Sequence, residues 1–262
     1  MSEQTPLDMA HAAMEATPEN DSARMRFYEN LADCELFLLL AEDPQGDNIT
    51  PEVFDVSDNS FVLAFDKEER LATFVGKPAP YAALSGRALA GMLAGQGIGL
   101  GVNLEVAPSS ILLPPEAMAW LTDTLAPGPE ETMARALEIR APGGVSEALL
   151  GALQTKLAQA AGLAKGGYLV EITYEDGAEG LFLGVVDAAP RVHEPLARSV
   201  NEALVFSGED TRLDVGFFDL ADQEVIRLEK VGLWYEIPQP VAPQEAVRPA
   251  PGSDPAKPPI LK

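Results

Sequence analysis

Between residues 133 and 220 the chain alternates short apolar runs with amphipathic stretches, and this order constrains the fold more than any other feature. The spacing predicts strands at 133–140, 168–174, 181–186 and 212–220, and helices over 146–161 and 192–205. Leu149, Leu153, Leu157 and Ala160 fall on one helical face, as do Val192, Leu196, Val200 and Leu204, so each helix can cover a sheet. The resulting order, βαββαβ, is that of a ferredoxin-like split βαβ unit. Residues 223–231 and 233–236 read as one or two added edge strands.

The first half has a different grammar. An amphipathic stretch at 7–16 stops at Thr17-Pro18, and a helix restarts where Asn20, Asp21 or Ser22 can cap it. Leu36-Phe37-Leu38-Leu39-Leu40 has no polar alternation and suits a strand covered on both faces. Residues 52–56 and 61–65 flank Ser57-Asp58-Asn59-Ser60, which reads as a hairpin turn. Short helices are expected at 68–74 and 85–93, the second capped by Ser85 and closed by Gly95, then strands near 97–104 and 111–113. Pro114-Pro115-Glu116 opens another helix, since proline is tolerated in a first helical turn. Pro127-Gly128-Pro129-Glu130-Glu131 joins turn residues to charge and marks a domain boundary near 128.

The fold class is therefore α+β in two domains. Residues 1–18 form an N-terminal extension, 19–127 a mixed α/β sheet domain, and 132–236 the βαββαβ domain with its added edge. Eight prolines among residues 237–262 leave little apolar periodicity, the composition of a disordered tail. Its two PxxP matches, at 240–243 and 255–258, arise readily in so proline-rich a segment.

Charge and composition exclude several functions. Eighteen basic against forty-one acidic residues leave a net charge of -23, which repels phosphate backbones and anionic lipid alike. Nucleic acid and membrane surfaces are thus poor partners. The longest plainly apolar run, 36–41, is far below the roughly 20 residues of a membrane span. The lone Cys34 and the absence of a secretory pattern at the first residues lead us to expect the cytoplasm.

Candidate chemistry is sparse. Gly95, Gly97, Gly99 and Gly101 lead from a helix into a strand, the reverse of a phosphate-binding turn, and fit a helix end followed by a closely packed strand. Ser146 in Gly144-Val145-Ser146-Glu147-Ala148 resembles a nucleophile elbow, with His193 the one histidine downstream, but a serine before an amphipathic helix is also a preferred cap. His193-Glu194 lacks the second histidine of a zinc helix, and His11 stands alone. Residues 43–47 and 55–58 are acidic without calcium-loop register. Cys34, flanked by Asp33 and Glu35, has its thiolate disfavoured by charge. No catalytic, cofactor-binding or metal-ligating residue emerges, and the chain is not expected to be an enzyme.

The segments Arg26 to Leu38, Phe61-Val62-Leu63-Ala64-Phe65-Asp66, Tyr81-Ala82-Ala83-Leu84-Ser85-Gly86 and Gly101-Val102-Asn103 resemble the SseB family, named for enhanced serine sensitivity. The resemblance covers residues 20–125 for its N-terminal domain, and the βαββαβ half is similar to the accompanying C-terminal domain. It implies a non-enzymatic binding or regulatory protein, with a protein partner and a link to serine sensitivity or amino-acid metabolism. An amino-acid sensor and a weak hydrolase using Ser146 and His193 are the alternatives.

Overall fold

The computed structural model describes residues 4–44, 46, 48–56, 59–126, 136–175 and 177–239. The boundary read near 128 and the tail beyond 239 lie outside the described residues. The chain builds two sheets, each with its own helices and its own apolar core, and so the α+β, two-domain reading holds.

In the first half, α1 (Pro6–Ala16) and α2 (Asp21–Asp33) precede β1 (Glu35–Leu39), β2 (Val53–Val56) and β3 (Asn59–Phe65). Then come α3 (Glu68–Val75), β4 (Tyr81–Ser85), α4 (Gly86–Leu93), β5 (Ile98–Val102), β6 (Ile111–Leu113) and α5 (Pro115–Leu125). The sheet runs β4-β1-β3-β5-β6, with β2 also paired to β3. The leucine-rich run lies between β4 and β3, and Leu36 and Leu38 are shut off from water on one face. Asn20 caps α2 by accepting from the Ala23 N–H, and Phe27 and Leu31 bring its inner face into the core.

Within the segment 1–18 read as an extension, residues 5–16 belong to the first domain. Thr5 and Asp8 form a capping box at the start of α1, and Leu7 and Ala10 enter the main core beside Phe27. Burying a leucine fully is worth roughly 1.5–3 kcal/mol, enough to hold a short helix that would not persist alone in water. Gly86 lets α4 start directly against α2, since a Cβ there would lie 1.7 Å from the carbonyl oxygen of Leu31. The glycine series behaves as its order implied: Gly95 and Gly97 take positive φ between α4 and β5, and a Cβ on Gly99 would meet the Leu113 carbonyl at 2.5 Å.

The second half contains β7 (Ala136–Arg140), α6 (Glu147–Ala158), β8 (Gly166–Tyr174), β9 (Glu179–Val186), α7 (His193–Ser207), β10 (Leu213–Phe218), α8 (Gln223–Val231) and β11 (Leu233–Glu236). The element order βαββαβ is present, but the interleaving of a ferredoxin-like unit is not. Here β10, β9 and β8 are successive neighbours, and β7 pairs antiparallel with β8. Nine-residue β8 is long enough to carry two strands end to end on one edge, with β11 opposite Gly166 to Leu169 and β7 opposite Glu171 to Tyr174. Residues 223–231, expected as a strand, are the helix α8: Val225 and Leu228 are buried three positions apart, a helical spacing. Residue 237, assigned to the tail, is a core residue, with Ile237 fully buried and its N–H donating to Lys165.

Candidate functional site

The two halves meet through α2, α4, α6 and α7. Phe206 of α7 is buried in the first core, an apolar anchor between domains. Beside it lies a cluster of five charged side chains. Glu29 and Asp33 stand one turn apart on α2, Arg87 is in the first turn of α4, Lys156 comes from α6 and Glu202 from α7.

The pairing is reciprocal across the boundary. Arg87 donates to both carboxylate oxygens of Glu202 (2.9 and 3.0 Å) and to Asp33 (2.6 Å). The Lys156 ammonium reaches Asp33 at 2.5 Å, Glu29 at 3.5 Å and Glu202 at 3.6 Å. Each domain therefore lends a cation to the other's carboxylates. The side chains of Lys156 and Glu202 are only 2% and 3% exposed, so their charges depend on these partners rather than on water. The Glu202 hydrogen bonds hold the Arg87 guanidinium charged well above its ordinary range. Burial pushes the Glu29 carboxyl up, against the pull of Lys156.

Two clefts flank the cluster. One, of about 790 Å³, runs between α2 and α6 past Glu29, Asp33, Cys34, Gly151 and Thr155. The other, of about 600 Å³, is bounded by Ser85, Arg87, Arg198, Ser199, Glu194 and Glu202. Asp33 and Gln159 line both.

A second polar cluster is buried within the first domain. Arg70 of α3 donates to both oxygens of Asp8 (3.0 and 2.5 Å) and to Asp66 (2.7 Å). The Ser109 hydroxyl donates to Asp8 at 2.6 Å and accepts from the Asn103 amide at 2.8 Å, while Thr5 donates to Asp66. Burial alone would raise the Asp8 carboxyl, but Arg70, Ser109 and the Thr5 N–H outweigh it and hold the group well below the usual carboxylate range. The chain of contacts ties α1, α3 and the loop after β5 together, which is a structural duty.

The residues singled out from sequence are not brought together. Ser146 Oγ accepts from the Leu149 N–H at 3.2 Å, the geometry of an N-cap, while its own N–H donates to Glu209. His193 Nε2 donates to the Ala188 carbonyl at 3.1 Å, and its ring stacks on Phe217 with centroids 4.0 Å apart. Replacing Ser146 with alanine is expected to cost on the order of 1 kcal/mol, read from a denaturant midpoint, as loss of a cap does. Cys34 donates to the Leu31 carbonyl, and burial, together with the nearby Asp66 and Asp33, pushes its thiol up to about 12. His11 is buried edge-on against Phe27. Among the described residues no group of three His, Cys, Asp or Glu is arranged to hold a metal ion, and no helix is long and apolar enough to cross a membrane.

Sequence reasoning missed both charged clusters. The signal for the first was Lys156 on the face of α6 that carries Leu149, Leu153 and Leu157, where a charge implies a buried partner. That for the second was the capping-box pair Thr5 and Asp8.

Comparison with known proteins bears on the first half of the chain. Residues 7–120 match the family model of the SseB protein N-terminal domain, which takes in α1. No curated protein and no solved structure matches the chain.

Proposed function

We propose that this chain, whose residues 7–120 match the SseB protein N-terminal domain, is a non-enzymatic binding or regulatory protein of the cytoplasm acting on a protein partner. One observation carries the reading: Ser146, His193 and Cys34, the side chains that the sequence singled out for nucleophilic or acid–base chemistry, are each engaged in a bond within the fold and are not brought together. The second half is read as the accompanying SseB C-terminal domain, docked by the Lys156 and Arg87 cluster. The family's name further ties the protein to serine sensitivity, a link that growth on added serine with and without the protein tests. Purification of the full chain from its native cells is expected to yield one reproducible, stoichiometric protein that re-forms the complex when purified. Repeated purifications without such a companion would sink the reading.

A second reading, an amino-acid sensor, is favoured by the 600 Å³ cleft, whose exposed wall carries both signs, as a zwitterion requires: Arg198 for a carboxylate and Glu194 for an ammonium, with Arg87 and Glu202 already paired to each other behind them. A bound amino acid at 100 times its Kd stabilises by about 2.7 kcal/mol. Thermal melts with an amino-acid panel are expected to show such a rise for one member, and an unmoved transition across the panel ends this reading.

A further inference from the structure

We propose that the outer edge of β10 is a docking strand for a basic, extended segment of a partner protein. The inference rests on the reading of the chain as a protein-binding module and names the surface that binds.

The carbonyls of Arg212 and Phe218 accept from the Leu181 and Asp187 N–H groups of the β9 side. Backbone direction alternates along a strand, so Asp214 and Gly216 face β9 as well, while Leu213, Val215 and Phe217 turn their N–H and C=O groups the other way. β10 ends its sheet, and no described residue pairs with that side. At six residues it is the longest strand with an open edge in either sheet. Lysine, proline and a bulge, three protections of such an edge, are missing from Leu-Asp-Val-Gly-Phe-Phe, and its one charge, Asp214, is paired to Arg212. By contrast β7 is bulged, and β11 has four residues.

The side chains along the edge are apolar and half-buried at Val215, Phe217 and Phe218. On one face His193 backs Phe217; on the other Phe182 and Phe218 lie over Gly216. An added strand would therefore find apolar neighbours on both faces and three outward backbone positions to pair with.

Charge selects the occupant. The segment 209–222 carries five carboxylates (Glu209, Asp210, Asp214, Asp219, Asp222) against one cation, Arg212, which is paired to Asp214 at 2.7 Å. Asp210 and Asp219, at the two ends of the strand, are exposed. A second copy would bring the same negative flanks together, on chains of net charge -23. A segment with apolar alternation and lysine or arginine at both ends complements them.

The test uses the full chain and the peptide Lys-Arg-Val-Thr-Val-Thr-Val-Lys-Arg. Saturable binding that weakens with added salt is expected. Val215→Pro removes an outward N–H while leaving the β9 ladder intact, and is expected to weaken the peptide about tenfold or more. The double variant Asp210→Asn, Asp219→Asn keeps the backbone whole, so it serves if the proline variant misfolds; it is expected to weaken binding and flatten its salt dependence. Undetectable binding to the wild-type chain, or equal binding to these variants, overturns the proposal. A native companion that co-purifies undiminished with a folded Val215→Pro chain overturns it too, while leaving the binding function in place.

Discussion

Replacing Arg70 with methionine is expected to lower the unfolding free energy by about 3–5 kcal/mol, because it strands two carboxylates that water cannot reach. The side chains of Asp8 and Asp66 are 0% and 4% exposed, and one guanidinium serves both. The pH dependence gives the mechanism away. In the wild type the Asp8 carboxyl is held below its ordinary 3.8, so it contributes stability that is fully present above that value and is lost as pH falls beneath it. In the variant the same carboxyl loses the charge that lowered it, and burial drives it upward, so acid relieves the folded state. The gap between the two proteins should be widest near neutrality and narrow steadily as pH falls, first as the variant's raised carboxyl takes up a proton and last as the wild type's lowered one does. Combining Arg70→Met with Asp8→Leu removes both members of the closest pair, and the double variant should lose less than Arg70→Met alone. Urea midpoints at neutral and acid pH check this, and a strictly additive double variant would refute it.

Much of the architecture was readable because local rules and tertiary packing agreed. Asn20, Ser85 and Ser146 cap the helices where they were expected to, and the Leu36 run sits between two strands. The failures have physical causes. In α8 the β-branched pair Val225-Ile226 favours a strand by propensity, yet a strand placing Val225 inward would also bury Arg227 and Glu229, whereas the helical period buries Val225 and Leu228. Strand order is harder still. Periodicity specifies what each segment is but not which neighbour it pairs with, so nothing in β7 or β11 announces that they share one edge of β8. The site was least legible because its members come from four helices, and a salt bridge between Arg87 and Glu202, 115 residues apart, leaves no local pattern. What sequence does record is the anomaly: Lys156 among leucines, Glu202 between Val200 and Leu204.

That anomaly carries the second large effect. Lys156→Met is expected to cost about 3–5 kcal/mol, since it leaves Glu29, Asp33 and Glu202 around a methyl-thioether with Arg87 as the remaining cation. Methionine matches the length of the buried stem, so the loss reports charge rather than a cavity. Because the lysine belongs to α6 while Glu29 and Asp33 belong to α2, the loss falls on the contact between domains. Hydrogen exchange should therefore speed up at the end of α2 and along α7 before it changes in β8 and β9, whose pairing is internal to one sheet. The Glu29 carboxyl, already pushed up by burial, rises further without Lys156, so acidification through its raised range removes that one charge from the crowded site and restores part of the stability. Uniform exchange across both sheets, or a loss unchanged by acid, would mean that the cluster does not hold the domains together.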